Sequence, residues 1–527
     1  MASELSIKGK KEFEGLTRAL EWSNEFAIYF AVINPPLIRK QTAEELKRSL
    51  ERKQIKVHSL ELNSSYFDLL SIIPEKVPSY CFRGAETEIH SVLFIFGAEE
   101  AIAADADTRR LFFDCLNWQR DKLREILECP LVIWLPEFAL RILAFEAPDF
   151  WAWRSGVYYL EPEPEWILKV TKELLNGRES EYDVLTYQEK VRHLQQFKAL
   201  LDDYEQHQFE GKLESEVLEI RFNLLQEAGK VSFSLANYED AKQYFLQSLK
   251  IAERLKDKKL LVQIFGKLSL VSVYLGDRTS AKEYAEKNLE IAQELGKEDI
   301  VASSFGVLGI FAEVFAEDYD KAEEFFKRSL EIGKELGDKK LIALAFKSLG
   351  SLGIVQGKHT EARSFLEQSL KISKEIGEKG RIVDNLLELS KLAQNQGNID
   401  GAVRRIEEAQ AISKEIKDRV KIAEVLEEKG SFARSQGDYQ RARKYYNESL
   451  KVYELLGDKF KIASIYADLG KIASDSGGYE EAKRSYKESL KIFEEIGAKD
   501  FIALTQKLLE GSEKIKKLDQ VLEKIEA

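Results

Sequence analysis

The sequence predicts two fold classes in one chain: an α/β domain with a parallel sheet, followed by an all-α repeat solenoid. Three observations carry this. Ala241, Ala281, Ala322, Ala362, Ala402, Ala442 and Ala482 recur every 40 residues, with a single interval of 41. Such a period marks units that cannot bury their own apolar faces and must stack on one another. All 9 prolines lie between Pro35 and Pro164, and all 6 tryptophans between Trp22 and Trp166. Proline removes a backbone donor and clashes with the preceding helical turn, so its absence from Glu165 onward suits a continuous helical array. Short apolar runs alternate with helical patterns before that point, and the boundary falls near Glu161-Pro162-Glu163-Pro164.

In residues 1–160, Phe26–Ile33 is a continuous apolar run rich in aromatic and β-branched side chains, and Ile55–Leu62, Val92–Phe96, Leu131–Leu135 and Val157–Leu160 resemble it. Ala43–Arg52, Thr108–Leu127 and Glu137–Glu146 between them read as helices. Strands apolar on both faces and separated by helices imply a parallel sheet. Ligands of such sheets sit at the C-terminal ends of the strands, which directs attention to Asn34–Thr42 after the first strand. A phosphate-binding loop needs glycines where Asn34 and Arg39 stand; only Lys40 falls in register, as a nucleotide-binding candidate. Val92–Phe96 followed by Gly97-Ala98-Glu99-Glu100 has the form of a Walker B strand, with Gly97 in place of the metal-holding aspartate.

Together with Ala147–Val157, this arrangement resembles the degenerate ATPase-like domains that precede helical repeats in many bacterial signalling proteins. The resemblance implies a P-loop-type fold, and the missing glycines imply lost hydrolysis; docking without catalysis and nucleotide binding without turnover both remain open. Trp151, Trp153 and Arg154 read either as a docking knob or as a packed helix end. No catalytic residues are expected: His58, His90, His193, His207 and His359 lack metal-ligand spacing, and no GxSxG occurs. No cofactor or metal is expected.

Residues 161–221 read as a helical linker and N-terminal cap, with amphipathic helices Glu165–Leu175 and Tyr187–His207 separated at Asn176-Gly177. Residues 222–498 hold the seven repeats. In the last of them, Ile462, Ala463, Tyr466, Leu469, Gly470 and Ala473 share helical spacing, Gly477-Gly478 ends the helix, and Tyr479, Ala482, Tyr486, Leu490 and Phe493 form the second. Asn237, Asp318, Asn398 and Asp438 stand at N-cap positions. This grammar resembles a tetratricopeptide-repeat array in its longer form, similar to kinesin light chains and bacterial quorum-response regulators. Residues 499–527 read as a charged capping helix.

The resemblance implies a concave groove lined by the first helix of each pair. By that rule the groove is apolar in the second to fourth repeats, at Leu270, Val273, Tyr274, Val307, Ile310, Val314, Leu344, Ile354 and Val355. It is acidic in the fifth and sixth, at Asp384, Glu388, Glu424, Glu427 and Glu428. The expected partner is a protein or peptide with apolar anchors followed by basic residues, such as an amphipathic helix. Intramolecular packing over the apolar positions and self-association stay open. The carboxylate-gripping lysine and asparagine pattern of chaperone-binding relatives is absent. Function is thus expected to be that of a non-catalytic adaptor or sensor, with a nucleotide-regulated assembly switch as the alternative.

Composition narrows the partners. Against 91 acidic side chains stand 79 basic ones, a net charge of −12, so the basic footprint of a nucleic-acid binder is missing. Cys81, Cys115 and Cys129 are odd in number and without CxxC spacing, which suits reduced thiols and a cytoplasmic location. Phe26–Ile33 is too short to cross a bilayer, and no membrane partner is expected.

Overall fold

The computed structural model describes the chain except residues 1–3, 63–67, 85–88, 103–105, 177–181, 207–213, 315–317 and 527, and the side chains of 106, 176, 183, 206, 314 and 518–526. The fold forms two compact units, Met1–Ser180 with Val191–Ala228, and Glu181–Lys190 with Gly229–Ala527. The stretch 161–221 is therefore divided between them. Gly177 and His207, at its expected helix ends, lie outside the described residues.

In the first unit, β1 (Ile28–Val32), β2 (Lys56–Glu61), β3 (Ser91–Phe96), β4 (Leu131–Leu135) and β5 (Arg154–Tyr159) form a five-stranded sheet in the order β2-β3-β4-β1-β5. Every pairing is parallel. The central strands β1 and β4 are buried at every position, and β3 at all but its last; the outer strands β2 and β5 keep exposed positions. That difference is why the central runs read as unbroken apolar stretches. The helix after β1 starts at Pro36, well ahead of the expected Ala43. Proline is suited to a helix start because its fixed φ matches the helix and its missing N–H would have no partner there.

Trp151 packs on Phe30 at 5.3 Å between ring centroids, and the Arg154 guanidinium lies over the Trp151 ring at 4.4 Å. Arg120 and Arg124 lie over Trp153. Both tryptophans are thus a packed helix end against the sheet core.

Seven helical hairpins follow one another among the described residues, from Glu214–Ser234 with Tyr238–Leu255 to Lys459–Asp475 with Tyr479–Glu495; all but Glu214–Ala228 of the first helix belong to the second unit. The helix Lys499–Glu526 follows them. Each period-marking alanine is fully buried. In five of the seven hairpins a glycine of the first helix receives the side chain four residues beyond that alanine. A Cβ on Gly229 would lie 2.3 Å from the Phe245 ring, on Gly309 2.4 Å from Phe326, on Gly430 2.7 Å from Tyr446, and on Gly470 2.6 Å from Tyr486. The missing side chain lets a large ring lie directly on the neighbouring backbone. Asp318, Asn398 and Asp438 cap their helices through the backbone N–H of Lys321, Gly401 and Arg441; Asn237 makes no side-chain cap. A recurring ion pair joins the start of the first helix to the end of the second, as in Lys258–Glu294, Lys339–Glu375, Lys379–Glu415 and Lys459–Glu495. These exposed pairs each contribute a fraction of about 1 kcal/mol.

The array also meets itself. Tyr274 of the second hairpin lies 5.0 Å from Tyr238 and 5.4 Å from Phe460 of the seventh, and Phe460 lies 4.7 Å from Phe501 of the last helix. Arg278 pairs with Asp500 at 3.0 Å. Lys190, fully buried, donates to the carbonyls of Ser234 and Leu456 at 3.0 and 2.9 Å, at the C-terminal ends of helices in the first and sixth hairpins. Such carbonyl ends have no partner within the helix and carry partial negative charge, which suits an ammonium.

Gly470→Ala should lower the thermal midpoint of the full chain, because the added methyl collides with Tyr486; overpacking of this kind costs about 1–3 kcal/mol. Gly511→Ala, with open space around the new Cβ, should instead stabilise by up to about 1 kcal/mol through helix propensity. Equal shifts of the two midpoints would show that the glycine contact has no special role.

Candidate functional site

Among the described residues, one concave region in each unit bears on the site residues read from the sequence. The first is a cleft of about 510 Å³ at the C-terminal ends of the strands, lined by Asn34, Arg39, Lys40, Glu61, Gly97 and Arg192 among others. Its cations are all engaged. Arg39 is buried and pairs with Glu99; Lys40 pairs with Glu61 at 2.9 Å, and Arg192 with Glu100 at 2.9 Å.

This donor set differs from that of a phosphate-binding loop. The segment after β1 is too short to wrap phosphates, since the helix begins at Pro36 with Pro35 as its N-cap. Proline at the first helical position deprives that terminus of an N–H that would otherwise point at an anion. Lys40 keeps the register read from sequence, but it lies beyond the first helical turn and faces a carboxylate. At Gly97, φ is +81° and a Cβ would fall 2.1 Å from the Leu62 carbonyl oxygen. An aspartate there would be both strained and obstructed.

Asn34 takes a structural part instead. Its Oδ1 accepts from the Glu137 backbone N–H at 2.8 Å, and its Nδ2 donates to Asp203 at 2.6 Å. Burial pushes the Asp203 carboxyl up to about 7, against the opposing hydrogen bond from Asn34, with Asp202 and Glu137 adding to the rise.

The second region is a cleft of about 410 Å³ on the first helices of the fourth to seventh repeats. It includes Asp384, Glu388, Glu424, Glu427 and Glu428, the five acids singled out in the sequence. They are not a bare acidic wall. Lys421 bridges Asp384 and Glu424 at 2.6 and 2.9 Å, Lys391 meets Glu388 at 2.9 Å, and Lys461 meets Glu427 at 3.4 Å. Lys347, Arg434 and Lys471 line the same cleft. Burial alone would lower the Lys421 pKa, but Glu424 and Asp384 outweigh it and raise it above the lysine range. Glu428 is buried, accepts from Gln394 Nε2 at 2.6 Å, and is held above the carboxylate range mainly by desolvation. Lys391 and Lys421 stand three positions from an acid of their own helix, while Lys421 and Lys461 also meet acids 37 and 34 positions earlier, on the preceding repeat.

Of the apolar positions, Leu270, Ile310, Leu344 and Val355 are exposed by 43%, 44%, 45% and 58%. Val273, Val307 and Ile354 are half-buried, and the side chain of Val314 lies outside the described residues. Tyr274 differs from expectation: its ring is engaged by Phe233, Tyr238 and Phe460, so it closes the array instead of offering an anchor. No group of three or more His, Cys, Asp or Glu suited to a metal occurs among the described residues, nor any helix long and apolar enough to cross a membrane.

Asp203 makes stability depend on pH. Its folded pKa lies above the unfolded value, so between about pH 4 and pH 7 the folded state binds the extra proton and stability falls as pH rises. The loss amounts to at most about 4 kcal/mol. Asp203→Asn keeps an acceptor for Asn34 and should flatten this slope in urea unfolding of the full chain. An unchanged slope would contradict the assignment.

A family model described as tetratricopeptide repeat matches residues 304–375 and 421–495, and a second of the same description matches 222–254. No curated protein matches the sequence significantly. Among solved structures, the chain is similar to BtubC (BKLC) from P. vanneervenii at 20% identity, over 41% of this chain and 90% of that one, with a TM-score of 0.35. It is similar to the apo quorum sensor NprR from B. thuringiensis at 14% identity, over 74% and 96%, with a TM-score of 0.42. For a signal transduction ATPase with numerous domains and a tetratricopeptide repeat sensor, from Pyrococcus horikoshii, identity is 12% over 99% and 97%, with a TM-score of 0.39. The family models thus mark tetratricopeptide repeats at residues 222–254, 304–375 and 421–495, within the seven described hairpins that follow the α/β domain in the chain.

Proposed function

We propose that this protein is a non-catalytic, cytoplasmic adaptor or sensor that holds a peptide or amphipathic helix on the first helices of its repeats. The observation that carries this reading is the exposure of Leu270, Ile310, Leu344 and Val355 on the first helices of three successive repeats. Apolar side chains of that size left in solvent on neighbouring elements mark sites of association. The adjoining charged cleft supports a polar continuation of the ligand. Because its acids are interleaved with lysines, that continuation has to present charges of both signs; the purely basic tail expected from the sequence would meet Lys391, Lys461 and Lys471 as well as the acids. Engaged cations and the missing phosphate cradle at the strand ends support a docking part for the α/β domain over nucleotide turnover.

Selection of displayed random peptides on the full chain should enrich sequences with apolar residues at helical spacing. Leu270→Ala combined with Ile310→Ala should then weaken the selected peptides by at least about tenfold, the loss of well-packed anchors. Undiminished affinity in the double variant would exclude this surface. Thermal stabilisation of the full chain by magnesium ATP or GTP would favour the alternative of a nucleotide-regulated switch, since a ligand stabilises only a fold that binds it.

A further inference from the structure

The residue directly after the contact glycine takes the same place on each first helix. It is Ile310, Ser351, Ser431 and Lys471 in the third, fourth, sixth and seventh repeats. Ser269 and Ser390 stand 12 residues before Ala281 and Ala402, as Gly350, Gly430 and Gly470 do before their alanines, which adds Leu270 and Lys391 for the second and fifth. The row that begins with the exposed Leu270 and Ile310 therefore continues as Ser351, Lys391, Ser431 and Lys471. Each of the last three has a carboxylate three residues earlier on its own helix. Lys391 holds Glu388 at 2.9 Å, and Lys471 holds Asp468 at 2.8 Å. In the sixth repeat the carboxylate, Glu428, is kept while serine stands in the place of the lysine.

The charges of the cleft show the same gap. Its walls carry six carboxylates and five cations. Asp384, Glu424 and Glu427 meet lysines as described above, and Arg434, one turn beyond Ser431, is taken by Asp475 at 2.6 Å. Of the six, Glu428 alone makes no ion pair. Lys391, whose charge also acts on it, is held by Glu388 instead. Gln394 and Ser390 give Glu428 only neutral hydrogen bonds, although it is 5% exposed and so largely cut off from water. A carboxylate in such a place lacks the counter-ion that burial calls for. The place left by the lysine faces a second acid as well. Ser351 Oγ donates to Glu388 of the next repeat at 3.2 Å, and the same step from Ser431 leads to Asp468, whose side chain is 29% exposed.

We propose that a cation of the ligand fills this gap: one lysine or arginine side chain of the bound peptide, seated over Ser431 between Glu428 and Asp468. The inference rests on the reading of the first-helix face as a peptide site and adds what the peptide carries there. Lys391 and Lys471 hold the equivalent places one repeat to either side and repel further cations. The row thus selects a single basic side chain beyond the apolar anchors, with neutral or acidic neighbours, and selection of this kind combines one attraction with two repulsions. Because Glu428 is already desolvated, its pairing with the incoming cation exceeds that of an exposed ion pair.

The test uses the full chain and its Ser431→Lys and Ser431→Ala variants, each employed to select from one library of displayed random peptides. Ser431 is exposed, so both substitutions fit the helix. On the parent chain and on Ser431→Ala, the selected peptides should carry one Lys or Arg at a constant distance from their apolar residues. Replacing that residue by norleucine should weaken binding at least about tenfold. Ser431→Lys gives Glu428 the lysine that the neighbouring repeats have. On that variant the basic residue should no longer be enriched, and the peptides selected on the parent chain should bind at least about tenfold more weakly. Apolar residues should persist in all three selections. Apolar peptides that lack a basic residue on the parent chain, or that keep the same basic residue on Ser431→Lys, would overturn this inference and leave the apolar site standing. Selections that enrich no peptide at all would overturn both.

Discussion

The contact on which the repeat unit depends is a ring or branched side chain laid on a glycine. In five of the seven hairpins the residue four beyond the buried alanine enters the space where a side chain of the partner helix would stand. At Gly350 a Cβ would lie 2.5 Å from Leu366, and elsewhere the intruder is Phe245, Phe326, Tyr446 or Tyr486. Alanine and glycine together set the distance between paired helices. Once that distance is fixed, the remaining apolar face of each hairpin has no partner within the hairpin and is buried only by the next one. The concave face is what is left over: first-helix positions that neither the hairpin nor its neighbour can cover. Exposure of Leu270, Ile310 and Leu344 is thus a consequence of packing imposed elsewhere in the repeat.

The same logic explains how far the sequence could be read. The seven units were legible because a buried alanine at fixed spacing has one physical meaning. The strands of the first unit were legible because burial on both faces leaves β1, β3 and β4 apolar almost throughout. The electrostatics of the groove were less so. Asp384 and Glu424 are in the pattern, but whether each meets a cation depends on the offset between stacked helices. That offset puts Lys421 of one repeat beside Asp384 of the one before, an arrangement no single helix displays. Tyr274 shows a related effect. A helical wheel gives it to the groove, while the meeting of the array's two ends gives it to Phe460.

At the strand ends of the first unit, the polar groups are engaged within the fold. Helix formation directly after Asn34-Pro35 shortens the loop, and the side chain of Arg39 turns inward to meet Glu99. An arginine buried beside a carboxylate satisfies its own charge within the fold. Asn34, which replaces a glycine of a phosphate loop, ties the start of the helix Glu137–Glu146 to Asp203. The cleft keeps the position of a ligand site while its polar groups hold elements of the same unit together.

The segment Glu181–Lys190 belongs by its contacts to the repeat unit, although it precedes the first hairpin in the chain. The Tyr187 ring fills the place of a Cβ at Gly457, where a side chain would approach within 2.3 Å, and Lys190 closes two helix ends at once. A fragment cut at the start of the repeat pattern would lose both contacts. The carbonyls of Ser234 and Leu456 would then be left buried without their donor, at the place where the first and sixth hairpins come together. Removing a partner from a buried polar group costs more than the bond itself contributes, because the group left behind has no water to replace it. The smallest piece of this chain that can carry the intact repeat surface therefore begins before residue 181, and binding measured on a shorter one would report on an array with its closing contact undone.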